Sequence, residues 1–137
     1  MKHLYPFLAL ILCLTSCKTY YIAPASLKTQ LEHINPEKIN ESYDFRLGLT
    51  GILLKGGKNF YNGIDTLDAT DKNGTAVRLP VTSHTGVRLT DTAGHSVIVY
   101  FDSMFLKDSV VFASKSHFLT LPIHRNLYSL SKVEVQK

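Results

Sequence analysis

Six histidines, eleven carboxylates and two cysteines are the first side chains in this 137-residue sequence to weigh for holding a metal, moving a proton or attacking an electrophile. Five of the histidines, His33, His84, His95, His117 and His124, lie beyond the N-terminal apolar segment. None stands in a ligand spacing such as H-E-x-x-H. His84 and His95 would meet only if the strands around them pair, and exposed loop histidines are the simpler reading, so no metal ligands are assigned. Asp65, Asp68 and Asp71 recur every three residues. A helix would gather them, but the Asn73-Gly74 turn that follows argues for a strand, with Asp65 and Asp71 on one face and Asp68 on the other. They lack the loop pattern of a calcium site and read as solvent-facing. Lys55-Gly56-Gly57-Lys58 misses the G-x-x-x-x-G-K-S/T spacing of a phosphate loop and reads as a turn with two exposed lysines. Ser114-Lys115-Ser116-His117 is a polar, mildly basic loop that suits an anion, with an ordinary hairpin loop as the plainer alternative. There is no G-x-S-x-G elbow around any serine. A hydrolase would have to assemble its acid and base in the fold, and Asp102 or Asp108 with His95 is the first place to look. No catalytic residue, cofactor site or metal site is assigned.

The cysteines have a different context. Met1-Lys2-His3 is a short basic start, and Phe7 to Leu14 is an apolar run that begins after Pro6 and contains Cys13. The run falls short of the ~20 residues that span a bilayer but has the length of a targeting segment. It ends in Leu14-Thr15-Ser16-Cys17, which resembles the lipobox of bacterial lipoproteins: an aliphatic residue, two small residues and the cysteine. The resemblance covers the first seventeen residues. It implies a signal peptide over 1–16, cleavage between Ser16 and Cys17, a diacylglyceryl thioether on the Cys17 sulfur and a further acyl chain, such as palmitate, on the new amino group. Cys13 would leave with the leader and Cys17 would be consumed by lipid, so no thiol would remain for a disulfide. In enterobacterial lipoproteins an Asp after the cysteine favours the inner membrane. Lys18 stands there in this chain, so the resemblance favours the cell envelope at the outer membrane, facing the periplasm.

Composition is consistent with one folded domain behind such an anchor. Hydrophobic residues make up 45% and charged residues 19%, which argues against disorder. The formal charge is +4, and loss of Lys2 lowers it by one. Lys55, Lys58, Arg78, Arg88, Lys107, Lys115 and Arg125 are scattered along the chain. That pattern gives mild attraction to anionic lipid or glycan and disfavours nucleic acid.

The elements that would position these residues follow from periodicity. Residues 17–25 read as a lipidated tether in which Tyr20 and Tyr21 rest at the interface or pack on the domain. Residues 26–137 read as a single β-rich domain. Ser26 to Ile34 reads as a helix capped by Ser26, with Leu27, Leu31 and Ile34 on one face. Tyr43 to Leu49 alternates as a strand. Asn73-Gly74 supplies the positive φ angles of a tight hairpin between Leu67–Asp71 and Thr75–Val81, with Pro80 demoting the second strand to an edge. Val87–Thr90 and Ser96–Phe101 flank Asp91–Gly94 as another hairpin, and the apolar second strand is expected at the centre of the sheet. Asp108-Ser109 marks a third hairpin. Phe118–Ile123 and Val133–Val135 read as the last strands, with a short turn at Leu127–Leu130.

The expected fold is mainly β, a small antiparallel barrel or sandwich with one short N-terminal helix. From Val87 onward its rhythm resembles SH3-like and Sm-like barrels. The mature part is also similar to small β-rich lipoproteins of Bacteroidota. The expected function is a membrane-anchored, non-enzymatic binding or assembly module. Its partners would be the membrane, through lipid on Cys17, and an envelope protein or anionic glycan. A partner strand would add at the edge near Pro80 or at the final strand. The alternative is a small envelope hydrolase acting on glycan or peptidoglycan.

Overall fold

The computed structural model describes residues 18–34, 40–42, 59–117 and 122–136. The Tyr43–Leu49 strand expected from the sequence, the Lys55–Lys58 turn and the leader lie outside them.

The described residues form a mainly β domain with one short helix. The strands are β1 Thr19–Tyr21, β2 Asn40–Ser42, β3 Asn59–Tyr61, β4 Thr66–Thr70, β5 Ala76–Pro80, β6 Gly86–Asp91, β7 Ser96–Tyr100, β8 Phe105–Lys107, β9 Val110–Ser114, β10 Pro122–Asn126 and β11 Leu130–Gln136. The helix, α1, is Pro24–Glu32. Six strands form a sheet in the order β5-β4-β1-β11-β6-β7, three form β10-β9-β8, and β2 pairs β3. Every pairing is antiparallel.

Alternation along the strands builds the core. Leu67, Ala69, Leu79, Val87, Leu89, Val97, Val99, Val133 and Val135 of the large sheet are buried. They share one cluster with Leu27 and Leu31 of α1, Val111 and Ala113 of β9, and Phe101 and Met104 from the short 3-10 turn after β7. Each large aliphatic or aromatic side chain contributes roughly 1.5–3 kcal/mol by leaving water.

α1 starts two residues before the expected boundary. Ala23 is the N-cap without a side-chain bond, and Pro24 opens the helix, where its fixed φ and missing N–H cost nothing. Ser26 is not the cap; its hydroxyl oxygen accepts from Gln30 Nε2 at 3.1 Å. The expected stripe survives because it depends on spacing alone: Leu27 and Leu31 are fully buried and Ile34 packs beside them. Gln30 also holds the helix to the sheet, donating to Asp68 O and accepting from Asp68 N, both at 2.9 Å.

Three expectations about strand position are corrected. Thr19–Tyr21, expected within a tether, is a strand paired on both sides, with β11 and with β4 at Tyr21–Thr70. β7 is at an edge of its sheet, not the centre: Val97 and Val99 point inward, while Ile98 on the other face is 49% exposed. The final strand, expected as a place for strand addition, lies between β1 and β6. It tolerates that place because its outward charges satisfy one another. Lys132 Nζ is 2.9 Å and Arg88 Nη1 3.9 Å from the Glu134 carboxylate. The Glu134 hydrogen bond holds the Lys132 amine above its usual range. β5, which ends at Pro80, is an edge strand as expected. The strand expected over Phe118–Ile123 is described only from Pro122, where β10 begins and runs on to Asn126.

The first two long hairpins share a turn. Asp71 N–H donates to Thr75 O and Gly74 N–H to Asp71 O, while the Asp71 carboxylate accepts from the Asn73 and Thr75 amides. Asp91, Ala93, Gly94 and His95 repeat the arrangement. Gly74 and Gly94 have φ of +80 and +88, a conformation that glycine adopts without a Cβ penalty. In the first of these turns Gly74 alone takes the positive φ that the sequence reading assigns to Asn73-Gly74 together. Asp108-Ser109 is the two-residue loop, with φ of 49 and 62.

These turns predict an acid response. The Thr75 amide holds the Asp71 carboxyl below its ordinary value, with the Asn73 amide adding to it. The His95 amide does the same for Asp91, helped by the His95 charge and the Ala93 amide. A folded pKa below the unfolded value stabilises the fold above the unfolded pKa and loses that contribution as pH falls through the folded one. The thermal midpoint should therefore decline as pH drops below 3.8. In the Asp71→Asn/Asp91→Asn variant, which keeps the acceptor oxygens but not the charge, this part of the decline should vanish. Identical pH profiles of variant and parent by circular dichroism would rule the explanation out.

Candidate functional site

Where β7 ends, the chain turns through Phe101–Ser103 and places Asp102 in a buried position, 7% exposed. The turn is short because Met104 N–H returns to Phe101 O at 3.0 Å. Asn62, just after β3, clamps it. Its Nδ2 donates to Phe101 O at 2.6 Å and Met104 O at 3.1 Å, its backbone N–H donates to Asp102 O, and its Oδ1 accepts from Ile64 N. Gly63, directly after that clamp, has a φ of +71, which glycine adopts without a Cβ penalty.

The loop after β9 brings His117 to this turn. His117 Nε2 is 3.0 Å from each Asp102 carboxylate oxygen. A carboxylate only accepts, so the ring N–H donates between both oxygens. The Tyr100 ring is tilted against the imidazole at 4.0 Å between centroids, and the Tyr61 ring lies nearly parallel at 6.1 Å. Ser103 Oγ donates to Tyr100 O and accepts from Ser114 N; Ser114 Oγ donates to Ser116 O. The Ser103 hydroxyl ties the end of β9 to the turn, the Ser114 hydroxyl braces the loop itself, and each has its proton engaged by a backbone carbonyl.

An acid–imidazole pair beside aromatic rings can orient a ring nitrogen, take up a proton or present a flat polar surface to a ligand. It can equally be a structural clamp between the turn and the loop. No family model, curated protein or solved structure matches this chain. The pair therefore rests on its own geometry.

The other residues singled out in the sequence do not converge on it. The acid was anticipated and its partner was not: Asp102 pairs with His117, whereas His95 precedes β7 at its far end, about 17 Å along the strand. His95 Nδ1 is 3.4 Å from Asp91 Oδ2, inside its own hairpin turn. Asp108 is exposed in its two-residue loop. His84 bonds the Ser83 hydroxyl in an exposed turn before β6, so β6 separates it from His95 and the two do not meet. His33 is the C-cap of α1, and His124 lies against Phe112 at 4.6 Å. Asp65, Asp68 and Asp71 diverge in role: Asp65 O accepts from Val81 N, the Asp68 carboxylate pairs with Arg78 at 2.9 Å, and the Asp71 carboxylate closes its turn. Among the described residues no three His, Cys, Asp or Glu side chains are grouped to hold a metal.

The pair should show a measurable coupling. Asp102→Ala leaves a half-buried imidazole N–H without its acceptor, which costs about 1–3 kcal/mol. His117→Ala orphans a buried carboxylate to a similar extent. In the double variant the losses should be less than additive, with a coupling of about 0.5–3 kcal/mol in urea unfolding. Strict additivity would mean that the contact contributes nothing.

Proposed function

We propose that this chain is a membrane-anchored envelope lipoprotein acting as a non-enzymatic binding or assembly module. The observation that carries the reading is Leu14-Thr15-Ser16-Cys17 directly behind a short basic start and an apolar run. The acyl chains on Cys17 are its contact with the membrane, and the outer membrane, facing the periplasm, is its place. Its further partner is an envelope protein or an anionic glycan, not nucleic acid. The edge strand β5, ending at Pro80, is where a partner strand would add. The engagement of Ser103 and Ser114 with backbone carbonyls supports a structural role for the polar cluster. For the fold, we read the six-stranded and three-stranded sheets around their shared core as an open sandwich rather than a closed barrel.

Metabolic labelling with an alkyne fatty acid tests the anchor. The wild-type chain takes up the label and Cys17→Ala does not; equal labelling of both would refute it. Pull-down from crosslinked membranes tests the module, which predicts an envelope partner recovered reproducibly.

A second reading, a small hydrolase acting on glycan or peptidoglycan, is favoured by one observation, the Asp102–His117 pair beside Tyr100. It requires that the domain cleave peptidoglycan or an envelope polysaccharide. It also requires that a folded His117→Gln variant lose that cleavage.

A further inference from the structure

Cys17 is separated by Lys18 alone from β1, and β1 is an inner strand of the large sheet. Two residues reach at most about 7 Å. β1 cannot peel away to lengthen this connection without breaking its pairs: Tyr20 is opposite Val135, and Ile22 N–H donates to Val133 O at 3.0 Å. An acylated Cys17 would therefore hold the sheet itself at the bilayer.

The strand registers identify which end is held. Thr19 is opposite Gln136, Gln136 opposite Gly86, and Gly86 opposite Tyr100. These four residues form one row across β1, β11, β6 and β7, about 14 Å from first to last. The turn with Ser83 and His84 lies just before Gly86, and the Asp102–His117 pair lies just after Tyr100. Lys115 is carried by the same loop as His117, and both Lys18 and Lys115 are exposed. Tyr61 and Tyr100 are half-buried there. Tyrosine rings with polar tips and exposed lysines suit an anionic lipid headgroup layer. The opposite end of β6 carries the Asp91–His95 turn.

We infer that the domain seats on the bilayer holding its own acyl chains by the end of the sheet marked by Thr19, Gln136, Gly86 and Tyr100, with the Asp102–His117 pair at the lipid interface. The inference rests on the reading of Cys17 as the lipidated residue. It makes the polar cluster part of a membrane-facing surface, so a ligand or partner for it would be met at the headgroups.

The lipidated protein decides it, purified and reconstituted in vesicles of phosphatidylethanolamine and phosphatidylglycerol that carry a doxyl-labelled lipid. A fluorophore is placed at Ser83→Cys in one preparation and at Ala93→Cys in another; both positions are exposed and lie at opposite ends of β6. Lipid-borne quenching should be several-fold stronger at residue 83 than at residue 93. Stronger or equal quenching at 93 would overturn the seating, as it would if the exposed Tyr128 near that end drew it to the interface. Mass spectrometry of the same preparations separates the two claims. Protein without acyl chains on Cys17 sinks both the anchor and the seat, whereas acylated protein quenched at 93 sinks the seat alone.

Discussion

On the proposed reading of Cys17 as the lipidated residue, a chain carrying Cys17→Ala, with an ordinary secretory cleavage site placed before Lys18, should leave the membrane fraction and be recovered as soluble protein. The expected effect is close to complete. Each buried methylene contributes about 0.8 kcal/mol, a single acyl chain binds with an association constant of only about 10⁴ M⁻¹, and two or three chains make release negligible. Among the described residues no helix is long and apolar enough to cross a membrane. Alkaline carbonate extraction and sedimentation provide the measurement. A processed variant that still pelleted with washed membranes would show that something other than lipid on Cys17 holds the protein there. The substitution precedes β1 by two residues in the sequence, so the thermal midpoint of the soluble domain reports on the fold separately from its location.

The largest loss of stability is expected from Phe101→Ala. Phe101 is fully buried, it is the bulkiest fully buried side chain among the described residues, and its backbone opens the turn that carries Asp102. Removing the ring should cost about 3–5 kcal/mol, the transfer term plus the cavity left behind. Against a total of about 5–15 kcal/mol for a domain, that is a substantial share. Phe101→Leu, which refills much of the space, should recover most of it. Urea unfolding gives the comparison, with an unchanged slope showing that the unfolded state is not at issue. A loss well below that range would mean that the neighbours collapse into the space, contrary to a closely packed junction of the two sheets.

Local rules account for the parts of this fold that were legible beforehand. The alternation Val87-Arg88-Leu89 needs only the two-residue period of a strand, and β6 has Val87 and Leu89 buried. Leu27 and Leu31 needed only the helical period. Asp91-Thr92-Ala93-Gly94 was legible as a turn because a short-chain acceptor and a residue without Cβ act within four positions. The misses were non-local. Ser96-Val97-Ile98-Val99-Tyr100 is apolar enough for a central strand, and Val133-Glu134-Val135 reads as a final strand open to strand addition, yet their places are reversed. Sheet order depends on which partners are available: Lys132 meets the Glu134 carboxylate within β11, but Arg88 reaches it only once β11 lies beside β6. Ser26 is a good cap in isolation, but Pro24 opens the helix two residues earlier.

The candidate site divides along the same line. Asp102 was visible as an acid near an apolar strand, but nothing in the spacing names His117, fifteen residues away in sequence. That pairing exists because Asn62 clamps the turn after β7 and Ser103 draws in the loop after β9. The amino-acid sequence by itself determined the strand and helix faces, the Asp-to-Gly turns and the Leu14–Cys17 pattern, since each depends on neighbours within a few residues. The tertiary structure alone decided the order of the strands, the partner of Asp102 and the place of β1 between β4 and β11. Those contacts join segments far apart in the chain, and they form only when burial of the common core outweighs the entropy of bringing them together.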